Sequence, residues 1–527
     1  MNPTDSEAET PGTRSAGEAV PGNWPGLRPF EFGEWKRLGG RKSEVEKLAR
    51  QFQRTKSGQS PVIWLHGDAG AGKTSLAQAG LFPRLARRQG DGFDWFKVEP
   101  SPEKPADGLI YEIASQVFGR APDTDETAID LDSRLRQFAL ILKQDSVEAA
   151  AEYLASCYRQ SVFDDGSGGA RTACVVFVDH LERAPEFEAL IREGASGLAG
   201  KLDLLLSFVQ QLSLTGLFPV VIGLRGIWVA EVKAALAQAG FPTLGSWVAV
   251  PGIEPGAVRG FFESAPSELA ESGEIRVAPE LVDSLIENAG DRPVRLPWIS
   301  ETLRRLTEND PETESLSTED ARWFGGMERA CADAAERAVA AVGAGEGLDE
   351  TAFDSLMAAL YADPSSDSVR AMGFLDLLGD PAVGRWVRLL IDARFLALNG
   401  HSLDQARVSW VFPKALSHWA EAKRWIERHD RLLARAAEFE RARQRWEEEE
   451  RSPVCLLLAT RAVDDARDLL DYHIRRPFLT DPLIEYLRES IAIEGRLVEE
   501  IRKIAWIKRG AVAAGVVLLG LLAWVVF

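Results

Sequence analysis

Pro61-Val62-Ile63-Trp64-Leu65-His66-Gly67-Asp68-Ala69-Gly70-Ala71-Gly72-Lys73-Thr74-Ser75 is the stretch that decides the fold. An apolar run suited to a buried strand passes into a glycine-rich turn and then into a helix, the order that a phosphate-binding loop requires. The spacing GxxxxGK[ST] has a physical cause. Glycine lets consecutive backbone N–H groups turn inward around a phosphate, and the helix that starts near Lys73 adds the positive end of its dipole. Gly67, Asp68, Ala69, Gly70, Ala71, Gly72, Lys73, Thr74 and Ser75 are therefore expected to bind a nucleoside triphosphate, with Lys73 reaching the β and γ phosphates and the Thr74 hydroxyl holding Mg²⁺.

Working outward, β-rich apolar runs recur at Val62–Leu65, Trp95–Val98, Ala173–Val178, Val220–Leu224 and Trp247–Val250, separated by longer helical patterns. This alternation predicts an α/β P-loop NTPase core with a mostly parallel five-stranded sheet over residues 25–252. A second carboxylate for Mg²⁺ belongs at the end of a neighbouring strand, where Asp179 follows Cys174-Val175-Val176-Phe177-Val178. Glu182 is the candidate for orienting or deprotonating the attacking water, and Arg225, which closes its strand, for sensing the γ-phosphate. His180 reads equally as a polar residue at a strand end.

After Pro255 strand signals thin out. A helical region is expected over 253–310 and a winged-helix-like region over 311–425, with breaks at Gly290-Asp291-Arg292-Pro293, Gly343–Gly347 and Asp363-Pro364-Ser365-Ser366 and short β-like pieces at Phe395–Leu398 and Val408–Phe412. A charged helical region follows over 426–507. Residues 1–24, rich in Pro, Gly, Ser, Thr and Glu, read as a disordered leader. From Gly510 to Phe527 no residue carries a charge, and at ~1.5 Å per residue the run is about 27 Å long, near the thickness of a bilayer core. A C-terminal transmembrane helix over 508–527 is expected, with membrane lipid as the partner of 510–527. Arg502, Lys503, Lys508 and Arg509 precede it and would keep the N-terminal bulk cytoplasmic.

The chain carries a formal charge of −19, which disfavours wrapping of nucleic acid, so no nucleic-acid partner is expected. Cys157, Cys174, Cys331 and Cys455 form no CxxC pair, which argues against a zinc site or a disulfide framework.

The segment Pro25-Gly26-Leu27-Arg28-Pro29-Phe30-Glu31, followed by Gly40-Arg41-Lys42-Ser43-Glu44, resembles the PGLRPF and GRE entry sequence of the bacterial branch of STAND signalling NTPases. Asp179-His180-Leu181-Glu182-Arg183 is similar to that branch's DQxEE, and Leu224-Arg225 to its sensor arginine. Ala289-Gly290-Asp291-Arg292-Pro293-Val294-Arg295-Leu296-Pro297 resembles the helical segment whose proline abuts the nucleotide. The resemblance implies nucleotide contacts from Arg41 and Pro297, ATP/ADP and Mg²⁺ as cofactors, and an ATPase switch that opens and self-associates in the ATP state, with a protein partner left unknown. Where the family presents His-Glu this chain has Pro413-Lys414, and His180 and Arg183 depart from DQxEE. A membrane-tethered scaffold that holds nucleotide without hydrolysing it is the alternative.

Overall fold

The computed structural model describes residues 24–38, 40–53, 61–89, 93–101, 106–119, 127–164, 173–253, 258, 276–290, 295–310, 313, 315–343, 348–361, 370–400, 402–457, 460–475 and 479–526; for 36–37, 88–89, 106, 127–130, 161–164, 188–197, 200–201, 295, 343, 475 and 517–526 it describes the backbone alone. The chain divides into two compact units, one running to Arg225 and resuming over Lys233–Ala330, the other comprising Gly226–Val232 and the chain from Cys331 onward.

In the first unit β1 (Val62–Gly67), β2 (Phe93–Val98), β3 (Ala173–Val178), β4 (Val220–Arg225) and β5 (Ser246–Ala249) form one sheet in the order β2-β3-β4-β1-β5. Every pairing in it is parallel. The five expected runs are these strands. The continuous apolar character of the three central strands β1, β3 and β4 reflects burial on both faces, whereas the edge strands β2, with Asp94 and Lys97, and β5 are only partly buried. On one face Ile63, Leu65, Phe177, Val221 and Val248 pack with Leu48 and Phe52 of α1 (Lys42–Gln53) and with Leu81 and Phe82 of the helix after the loop. On the other, Trp64 stacks on its register partner Trp247 at 4.9 Å and donates its indole N–H to the Leu244 carbonyl at 2.9 Å.

The helix after the loop begins as α2 (Lys73–Ser75), passes through a π-helical stretch over Leu76–Leu81 and continues as α3 (Phe82–Gln89). Gly80 lets it approach α1 closely, since a Cβ there would lie 2.7 Å from Val45 Cγ2. Between β2 and β3 come α4 (Ala106–Phe118), α5 (Thr127–Gln144) and α6 (Val147–Asp164), and α7 (Glu186–Leu214) precedes β4. Phe138 fills their shared interior, edge-on to Tyr111, Phe118 and Phe208. α8 (Val229–Gln238) leads to β5.

Beyond β5 come β6 (Arg276–Val277), α9 (Pro279–Ala289), α10 (Arg295–Asn309), β7 (Ser315–Leu316), α11 (Thr318–Phe324) and α12 (Gly326–Gly343). β6, paired in parallel with β7, corrects the expectation of a helical region without strands over 253–310. Strands of two residues are too short to leave a periodic signal.

In the second unit, over the stretch expected to be winged-helix-like, come α13 (Glu350–Leu360), β8 (Ala371–Gly373), α14 (Phe374–Leu378), α15 (Pro381–Asp392), β9 (Leu396–Asn399) and β10 (Arg407–Trp410). β10 lies between β8 and β9, antiparallel to both. Trp410 and Trp386 anchor this stretch by donating to the Leu360 and Asp349 carbonyls. Phe353, Phe395 and Trp419 complete an aromatic interior. The charged tail forms α16 (Ala420–Glu448), α17 (Thr460–Arg475) and α18 (Asp481–Val526).

Among the described residues no helix is long and apolar enough to cross a membrane. The described side chains of α18 end at Val516, so the expected anchor over 508–527 falls mostly outside them and gains no support from them. Residues 1–23 of the expected leader over 1–24 also lie outside the described residues, as do 291–293 of the break at 290–293, 344–347 of that at 343–347, and the whole break at 363–366.

Candidate nucleotide-binding site

The strand order places β4 between β1 and β3, so three strand ends converge on the loop. Gly70 and Gly72 turn the loop at φ 76° and 83°, backbone that favours glycine. Gly67 is confined differently, because a Cβ there would collide with the Val250 carbonyl at the end of β5. Within the loop the Ala71 N–H donates to the Asp68 carbonyl at 3.2 Å, and α2 starts where the Leu76 N–H meets the Gly72 carbonyl at 2.8 Å.

Lys73 is buried, and its ammonium donates to the Gly67 and Asp68 carbonyls at 2.9 and 3.0 Å. Burial lowers its pKa to about 8, against the opposing pull of the Glu182, Asp179 and Asp68 carboxylates. The Thr74 hydroxyl donates to Asp179 Oδ2 at 2.7 Å, and Asp179 is 1% exposed. The chain thus brings together two oxygen ligands, 105 residues apart, of the kind a hard divalent cation takes. Mg²⁺, which the fold implies, fits this donor pair. When bound it would neutralise phosphate charge there.

Asp179 is held by its neighbours. Its N–H extends the β3 ladder to the Val98 carbonyl at 3.0 Å, and its Oδ1 accepts the His180 N–H at 3.1 Å. Gly223 on β4 leaves the room it needs, since a Cβ there would lie 2.6 Å from Oδ1. Sequence reading passed over Gly223. A glycine inside the apolar run Val220-Val221-Ile222-Gly223-Leu224 is the signal that marks such a close approach.

His180 adopts a left-handed backbone at φ 53° and turns the chain so that Glu182 returns toward β4. The Glu182 side chain is 4% exposed. It pairs with Arg225, Nε lying 3.1 Å from Oε1, and accepts the Arg225 backbone N–H at 3.3 Å. The His180 ring Nδ1 lies 3.3 Å from the same Oε1. Burial alone would raise the pKa of Glu182, but the His180 hydrogen bond and the charges of His180, Arg225 and Lys73 outweigh it and pull the value to about 2. Arg225 is register partner of Gly67, so the expected sensor stands beside the first residue of the loop.

Arg41, expected at the nucleotide, is 3% exposed and braces the loop from behind, donating to the Ala71 carbonyl at 2.7 Å and to Glu44 at 3.0 Å. The Ser75 hydroxyl accepts the Phe30 N–H at 3.1 Å, and Ser300 of α10 accepts the Gly26 N–H at 3.0 Å. The entry segment thereby joins α2 to α10, two contacts its sequence did not disclose. Gly26 needs to be glycine: φ is 65°, and a Cβ there would meet the Glu301 carboxylate and Arg304. Pro297 lies in the first turn of α10, and no described hydrogen bond takes it to the loop. Pro413 is buried at the start of a 3₁₀ turn over Pro413–Ser417.

The family model for novel STAND NTPase 1 matches residues 24–454 and so spans the whole site. The chain belongs to that family. None of the curated proteins matches this STAND NTPase. Among solved structures, the Aeropyrum pernix ORC1 protein in complex with DNA is 17% identical with a TM-score of 0.36, the match covering 73% of this chain and 94% of that one. A Walker-type ATPase of Pyrococcus abyssi is 14% identical with a TM-score of 0.40, over 74% and 97%. The ADP form of Aeropyrum pernix ORC2 is 15% identical with a TM-score of 0.35, over 75% and 94%. At such scores these likenesses carry no functional weight, and the family assignment rests on the matched sequence.

Proposed function

We propose that this STAND NTPase is a nucleotide-operated switch that holds ATP or ADP with Mg²⁺ at Gly67–Ser75 and changes its arrangement and self-association with the state of the nucleotide. The observation that carries the reading is the Thr74–Asp179 pair at 2.7 Å beside the buried Lys73. A buried ammonium resting on backbone carbonyls is a cation awaiting an anion, and phosphate is the anion whose oxygens also reach a metal held by Thr74 and Asp179. Lys73 binds and orients the phosphates, Arg41 keeps the loop in shape, and Arg225 faces the last phosphate. The uncharged run Gly510–Phe527 is the basis for extending the proposal to a single-pass anchor with the bulk of the chain cytoplasmic, and bacterial defence or stress signalling is the setting that the family suggests. Lys73→Ala should reduce Mg·ATP and Mg·ADP affinity at least about 100-fold in calorimetry. Unchanged affinity in a folded variant refutes the site.

A second reading is a scaffold that keeps its nucleotide unhydrolysed. It is favoured by Glu182, whose carboxylate is engaged by Arg225 and His180 and thus poorly placed to take a proton from water. Phosphate release separates the two: measurable turnover by the wild type that Asp179→Asn abolishes supports the ATPase, and bound nucleotide recovered intact supports the scaffold.

A further inference from the structure

Glu182 meets Arg225 at two points, side chain to side chain at 3.1 Å and backbone N–H to Oε2 at 3.3 Å. The pair is enclosed, with side chains 12% and 4% exposed for Arg225 and Glu182. It stands at the register position of Gly67 and within electrostatic reach of Lys73. The Nε–H of a guanidinium there can be given to the protein's own carboxylate or turned, with the terminal N–H groups, toward the last phosphate of a bound nucleotide, and one Nε–H cannot serve both in full.

We propose that Glu182 is a specificity-determining residue that competes with the γ-phosphate for Arg225, and so sets the preference between triphosphate and diphosphate. The inference rests on the nucleotide-site reading above. With a diphosphate, Arg225 stays on Glu182, which His180 also holds. With a triphosphate, Arg225 exchanges its Nε contact with Glu182 for the terminal phosphate, and the free energy of the lost ion pair is subtracted from triphosphate binding alone. Diphosphate affinity does not depend on the exchange. This role differs from that of a general base, whose removal slows hydrolysis and leaves the binding ratio untouched.

The experiment is the ratio of Mg·ADP to Mg·ATP dissociation constants, read with non-hydrolysable ATP analogue by calorimetry on the full chain. Glu182→Gln keeps an acceptor for the Arg225 N–H but removes the charge, and should shift the ratio about tenfold toward the triphosphate, the size of one charge-assisted hydrogen bond. Glu182→Asp, which draws the oxygens back from Nε, should shift it in the same direction and serves if the first variant fails to fold. Arg225→Ala should abolish the preference, and Glu182→Gln added to Arg225→Ala should change the ratio less than twofold. An unchanged ratio in both Glu182 variants, or an equal shift with Arg225 absent, overturns the proposal. Absence of any binding by folded wild-type protein would instead overturn the site reading itself, and this inference with it.

Discussion

Around the loop, polar groups are buried: Arg41, Lys73, Thr74 and Asp179 are each at most 9% exposed. Along the far half of α18 the reverse holds, with Ile501 64%, Trp506 78% and Ile507 63% exposed. Each region runs against the usual partition of polar and apolar surface, yet they resolve it differently. The loop satisfies its charges from within the chain, carbonyl by carbonyl and carboxylate by guanidinium. α18 leaves apolar side chains facing outward over Leu497–Val516, interleaved with Arg502, Lys503, Lys508 and Arg509. The first is a site whose chemistry can be read from its internal pairings, and the second is a surface whose meaning depends on what covers it.

Acid should break the first region most. Glu182 titrates near 2 in the fold against its ordinary 4.5, so the stability it contributes is complete above pH 4.5 and lost as pH falls from 4.5 toward 2. At 1.36 kcal/mol per pKa unit that is at most about 3 kcal/mol. Thermal melts between pH 5 and 3 should show the loss; His180→Ala, which withdraws the largest of the groups that lower the value, should remove most of it, and Arg225→Met a smaller part.

Gly223→Val is a smaller blow to the same region. The new Cβ would press on Asp179 Oδ1 from 2.6 Å, and overpacking of this kind costs about 1–3 kcal/mol. The expected result is a lowered melting temperature together with weakened Mg²⁺ dependence of nucleotide binding; a variant with wild-type Mg²⁺ dependence would show that Gly223 only fills the sheet.

The smallest effect belongs to α18. Ile501→Ser with Ile504→Ser removes exposed apolar surface, so stability should move by less than about 0.5 kcal/mol and nucleotide affinity not at all. Binding to vesicles containing anionic lipid is the readout that would move. Equal vesicle binding by the variant would separate these side chains from any role at a membrane.

The loop and its five strands were legible because their signals are local: an apolar run, a glycine turn, a carboxylate after Val178. Arg225 was legible as the end of an apolar run. The roles of Arg41 and Ser75 were not, because what each touches, the Ala71 carbonyl and the Phe30 N–H, is backbone brought in from elsewhere in the fold. Glu182 was visible as a carboxylate near the site, but its engagement depends on β4 lying beside β3, a matter of strand order that no window of sequence contains. The β6–β7 pair was invisible for want of length.

The entry segment has a mechanical consequence. Gly26 is fastened to α10 through Ser300, and Phe30 to α2 through Ser75. The interval between them is four residues, about 13 Å when fully drawn out. So short a tether has little slack, that of the turn in which the Arg28 N–H meets the Pro25 carbonyl. If α10 swings outward from the phosphate loop, one of the two fastenings must part before the excursion exceeds that reach, and the strip thereby fixes the limit of travel for the helix.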